Sequence, residues 1–244
     1  MGDFGAALGP LETFDQAAFV GDDKVPQEVC NFVLALAVIH NDYKDLVMAY
    51  AFLEEARPAD PERITKDRGE HTALEIHVIR QHSSLVHELC KLIEDRSSII
   101  DHPVFSALIT RLDERAREKW NLLVAAAGTT PKDDPFTKAL LLLRNKAASH
   151  FDPEEIFRGY KHVFQDMGKT PYISRGETLK NTRFFFADAA VAGYLSYRVG
   201  DAGVRPFLEG VSGLLESLNV ALAQIVERFI QMRGFGWRNG RPSA

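Results

Sequence analysis

The sequence predicts an all-α protein, a single bundle of about seven helices. Three observations lead there. Apolar residues recur three and four positions apart over most of the 244 residues, the spacing that lines one face of a helix. No stretch alternates apolar and polar with the period of two that marks a half-buried strand, and no internal repeat is visible. Residues that favour helix starts, Pro26 and Asp152-Pro153 among them, stand just before periodic segments.

Composition narrows the class further. With 45% hydrophobic and 26% charged residues the chain is ordinary for a globular protein and long enough to bury a substantial core. A net charge of −5 excludes a broad basic surface that coats nucleic acid without preference, though not a local cluster of cations around one phosphate. Cys30 and Cys90 each sit in an apolar helical pattern and read as reduced core thiols rather than a disulfide or a metal knuckle. The start of the chain lacks a basic-then-apolar signal pattern. The most apolar run, residues 29–39, is too short to span a bilayer. A soluble, cytoplasmic protein without membrane association is the expectation by elimination.

Residues 1–25 mix Gly, Asp and Phe without a sustained period and are expected to form an irregular N-terminal arm before a bundle domain over 26–232. The first helix should run from Pro26 to Glu55, with Pro26 in its first turn. Its apolar residues, including Leu34, Val38, Leu46 and Tyr50, cover more than one stripe, as in a central helix. The segment from Arg57 to Gly69 is rich in proline and charge and reads as a solvated loop. A second helix over Glu70–Glu94 carries two adjoining apolar seams. A third is expected over Pro103–Ala127, with the charge run Arg111–Lys119 as its solvated face and Gly128 as a left-handed cap.

A fourth helix should begin near Asp134-Pro135 and run through Leu143 into the segment Arg144–His150. For the fifth, Asp152 is the N-cap, Pro153 fits the first turn and Glu155 stands where a capping-box carboxylate belongs. Residues 168–178 read as a loop, and a sixth helix is expected over Leu179–Arg198. The seventh, Pro206–Gln231, carries Leu208, Val211, Leu215, Leu218, Leu222, Ile225 and Phe229 three and four apart. That coiled-coil-like seam fits a contact inside the bundle or an interface between subunits. Residues 233–244 bring three arginines, Phe235 and Trp237 among glycines and are expected to form a flexible tail.

Eight histidines in a helical chain raise the question of a metal. The ferritin-like di-iron arrangement needs Glu-x-x-His, and no histidine here has an acidic residue three positions before it. His71, His77, His82 and His87 are six, five and five apart, not the three or four that bring side chains together. No metal and no cofactor are therefore expected. Gly-rich phosphate loops, GxSxG and HExxH are absent as well.

One segment stands out: Leu143-Arg144-Asn145-Lys146-Ala147-Ala148-Ser149-His150-Phe151-Asp152-Pro153. It resembles the signature of the HEPN superfamily (higher eukaryotes and prokaryotes nucleotide-binding). That signature is an Arg, a polar Asn, Asp or His after it, and a His four to six residues further on at a helix end. Five residues lie between Arg144 and His150, and Asn145 fills the polar slot. Arg80–His87 and Arg96–His102 satisfy the bare spacing too, but Gln81 and Ser97 follow their arginines.

The resemblance implies a helical bundle that commonly dimerises and a metal-independent endoribonuclease of the toxin–antitoxin or phage-defence kind. An inhibitory partner protein would restrain it. The catalytic residues would be Arg144 and His150, with Asn145 supporting.

The chemistry agrees with those residue types. RNA is cut when its own 2′-hydroxyl attacks the adjacent phosphate, so the protein must move protons and steady a crowded negative charge. An imidazole exchanges protons near neutral pH, and a guanidinium presents a fork of donors to phosphate oxygens. Lys146, Arg158 and Lys161 are weaker candidates for holding substrate. Arg57, Arg63, Lys66 and Arg68 could hold flanking phosphates, though solvated surface fits them better. The competing reading is a non-catalytic helical binding or scaffold module, in which Arg144 pairs with an acid and His150 caps a helix C-terminus.

Overall fold

The computed structural model describes residues 12–58, 65–128, 152–178, 181–234 and 238–239. These residues form an all-α bundle: α1 (Gln27–Glu55), α2 (Lys66–Asp95), α3 (Ser97–Ile100), α4 (Pro103–Ile109), α5 (Glu114–Ala127), α6 (Pro153–Lys161), α7 (Phe185–Val199) and α8 (Asp201–Met232). None of the described helices is long and apolar enough to cross a membrane.

Helix ends follow local chemistry. Thr65 accepts from the Arg68 N–H and starts α2, several residues earlier than the loop expected up to Gly69. The third predicted helix is broken. Asp113 is extended and accepts from the Ala116 N–H, so α5 begins afresh inside the charge run, while Leu112 turns into the core. A capping carboxylate outcompetes continuation because it satisfies an otherwise orphaned donor. Gly128 has right-handed rather than left-handed geometry (φ −77°, ψ −5°).

The sixth helix starts at Phe185, not near residue 179, because Arg183 pairs through its backbone with Ser174 in an isolated antiparallel bridge. Gly200, at φ +74°, separates α7 from α8, a conformation that suits a residue without Cβ. α8 then runs through Pro206.

Two apolar clusters share α2 and α8. The larger joins Phe32, Val33 and Leu36 of α1, Leu89 and Ile93 of α2, Phe105 and Leu108 of α4, Trp120 and Leu123 of α5, and Leu218, Leu222, Ile225 and Phe229 of α8. The smaller joins Val86 of α2, Val191, Tyr194 and Leu195 of α7, and Phe207, Val211 and Leu215 of α8. The seam of the last helix is thus buried within the chain. Only part of α1 behaves as a central helix: Leu34 and Val38 are exposed, as are Val47, Tyr50 and Phe52 further on.

Cys30 is buried and Cys90 half-buried, both as free thiols. Burial pushes the Cys90 thiol up to about 11, which keeps it protonated and unreactive at neutral pH.

The arm and tail also meet the bundle. Ala18 is fully buried, and Phe19 packs on Phe229 with ring centroids 5.4 Å apart. Arg233, just past α8, donates to the carbonyl oxygens of Ala17, Ala18 and Val20 and pairs with Asp22 at 2.8 Å. Beyond it, β2 (Arg238–Asn239) pairs antiparallel with β1 (Glu12–Thr13). Two-residue strands carry no periodicity that a sequence could reveal.

Candidate functional site

Arg144, Asn145, Lys146 and His150 lie outside the described residues, as does the predicted fourth helix. The structure resumes two residues after His150. Asp152 takes an extended conformation (φ −70°, ψ 111°) and accepts from the N–H groups of Glu154 and Glu155, with Pro153 in the first turn of α6. That is the cap the sequence predicts.

The buried Glu155 carboxylate accepts from Arg198 of α7 at 2.8 Å and from Arg158 at 3.2 Å. Arg198 also donates to the Tyr194 hydroxyl. A carboxylate this deep needs a charged partner, and α7 provides one. Arg158 is therefore tied to Glu155, while Lys161 faces solvent.

Glycine lets α6 and α7 approach this closely. A Cβ on Gly159 would collide with the Ala190 carbonyl oxygen and the Tyr194 nitrogen, and one on Gly193 would meet the Gly159 carbonyl and the Val163 side chain. Past α6 the chain makes a π-helical turn, His162–Asp166. Phe157, Tyr160, Phe164, Phe184 and Phe186 form a run of ring contacts on the outside of the pair, and Phe157 and Phe184 are exposed.

Beside this pair lies a cavity of about 650 Å³, within the range of small-molecule sites. The start of α2, the π turn, the loop after Gly168 and α7 surround it. Its walls combine aromatic rings (Phe164, Tyr172, Phe185, Phe186) with two cations, Arg68 and Lys169. The Arg68 Nη1 is buried with no hydrogen-bond partner, so solvated surface describes Lys66 but not Arg68. Asp188, also in the wall, is engaged by Arg183, which bridges it to Glu70 of α2.

A second polar cluster joins the end of α1 to the start of α2. Glu54, His71 and Glu75 converge, with one potential ligand atom from each within 4.8 Å of the others. Arg57 donates to Glu54 at 2.6 Å and reaches Glu75 at 3.4 Å. Its hydrogen bond, more than that from Tyr50, holds the Glu54 carboxyl below its ordinary value. Searching for acids three residues before a histidine passes over this set. The legible half was His71-x-x-x-Glu75, four apart on one helix face; Glu54 arrives only through the packing of α1 on α2. Elsewhere in α2, His77 is exposed, and the His82 ring packs on Tyr43, with burial lowering its pKa.

No family model, no curated protein and no solved structure matches this chain.

Proposed function

We propose that this chain is a HEPN-like, metal-independent endoribonuclease that cuts RNA by 2′-hydroxyl attack. The segment Arg144–His150 carries the reading, set in an all-helical chain and followed at once by the Asp152 cap. Six helical positions leave Arg144 and His150 about 120° apart in azimuth and about 9 Å apart along the axis. A helix end near the histidine relieves that separation, and the extended Asp152, from which α6 starts, supports one.

In this reading the bond from the 2′-oxygen to phosphorus forms as the bond to the 5′-oxygen breaks. His150 moves the proton from the first oxygen towards the second. Arg144 neutralises the charge that builds on the phosphate oxygens, and Asn145 orients His150 or the phosphate. Two copies related by a two-fold axis pool two such pairs in one cleft. A toxin or phage-defence role, with an inhibitory partner protein, follows from the resemblance.

The test is incubation of the purified protein with total RNA in EDTA. Loss of a general acid–base group costs about 10²–10⁴-fold, so His150→Ala should cleave slower by that factor. Equal cleavage by both proteins removes the segment from catalysis.

A second reading, a non-catalytic helical binding module, draws on the cavity. Aromatic walls and two cations suit a planar anion such as a nucleotide. Under that reading His150→Ala leaves ligand binding intact and neither protein cuts RNA.

A further inference from the structure

We propose that Glu54, His71 and Glu75 bind one divalent, zinc-class ion that ties the end of α1 to the start of α2. His71 is the reason. Its side chain is 7% exposed, and its Nε2 lies 3.0 Å from the Leu53 carbonyl oxygen. A carbonyl only accepts, so Nε2 carries the proton of that bond, which leaves Nδ1 as the nitrogen able to offer a lone pair to an ion. Nδ1 faces Glu75 Oε2 at 3.4 Å, and Glu54 closes on the same point. These electron-rich atoms need positive charge beside them; the Arg57 guanidinium supplies it to the two carboxylates, and an ion would supply it to all three groups at once.

The His71–Glu75 spacing fits an ion. A charge-assisted N–H···O bond to a carboxylate runs about 2.7–2.9 Å. Donors about 2.0–2.1 Å from one tetrahedral ion stand about 3.4 Å apart. Metal-bound imidazoles also donate their other N–H to a carbonyl or carboxylate, as His71 does to Leu53. One imidazole nitrogen with two carboxylate oxygens suits zinc-class ions better than magnesium. Two carboxylates balance a dication, and the partly exposed glutamates leave the fourth position to water.

Arg57 is the competitor. It lies against both carboxylates, yet its side chain is 56% exposed and can swing outward as the ion enters. Removing it should therefore tighten binding, the opposite of what loss of a mere structural partner would do. None of these residues belongs to the Arg144–His150 segment, so the ion is structural and independent of RNA cleavage.

The experiment is calorimetric titration of the EDTA-stripped, dialysed full chain with zinc chloride. Expected are one ion per chain, binding at least about tenfold weaker in Glu75→Gln, and binding about threefold or more tighter in Arg57→Ala; each tenfold change is about 1.4 kcal/mol. Glu75 is partly exposed, so its isosteric amide should fold, and circular dichroism confirms this before titration. Three results overturn the site: no saturable binding in either the parent or Arg57→Ala, equal binding in the parent and Glu75→Gln, or binding seen only after Arg57 is removed. The last would make Arg57 the native occupant.

Discussion

The two ends of the bundle are held together by different means. Around Trp120, helices close on large side chains: Phe105 packs between Phe32 and Trp120, with ring centroids 5.3 and 5.6 Å away, and Leu222, Ile225 and Phe229 are fully buried. Between α6 and α7 the contact is made by the absence of side chains. Gly159 and Gly193 bring two backbones together, and the neighbouring buried group is a charged one, Glu155, held by Arg198. The first end gains stability from apolar area and fails when atoms are removed. The second depends on close approach and fails when atoms are added.

Trp120→Ala should have the largest effect. Truncating a buried Trp costs about 3–5 kcal/mol, read as a lower midpoint in urea denaturation with the slope unchanged. A loss below about 1 kcal/mol would show that the core relaxes around the gap and that large side chains do not dominate this end.

Gly159→Ala comes next, at about 1–3 kcal/mol for overpacking. The obstacle is the Ala190 backbone, which cannot rotate away as a side-chain tip would. Amide exchange should quicken in α6 and α7 while α1, α5 and the second half of α8 keep their protection. Uniform loss of protection would mean that both ends open as one unit.

The smallest effect tests a link at the first end. Asp113 accepts from the Ala116 N–H and from Gln224 of α8, and these bonds, the former first, hold its carboxyl below the ordinary value. A depressed folded-state pKa adds stability that is whole above the unfolded value, about 3.9, and fades as pH falls through the folded one. Asp113→Asn should therefore flatten the fall in melting temperature below about pH 4. An unchanged acid slope would remove this carboxylate from the linkage.

Much of the first end was legible. The 3.6-residue period needs only one chain to show it, so the seam from Leu218 to Phe229 was readable in advance, whereas Leu34, Val38 and Tyr50 of α1, named from the same period, are exposed. Caps were readable where the signal was strong, as at Asp152-Pro153. Asp113 was missed because a single aspartate inside a charge run looks like surface, and only the inward turn of Leu112 reveals the break. Glu155 occupies a capping-box position by spacing, but its partner Arg198 lies 43 residues away, beyond any local pattern.

The sequence by itself determined the helical class, most long helix bodies and the segment from which the ribonuclease reading is drawn, because periodicity and capping act between near neighbours. The tertiary structure alone decided that α6 and α7 meet at two glycines, that Arg233 clamps the N-terminal arm, and that Glu54 joins His71 and Glu75. Those contacts link residues far apart in the chain, where no local pattern records which surfaces will touch.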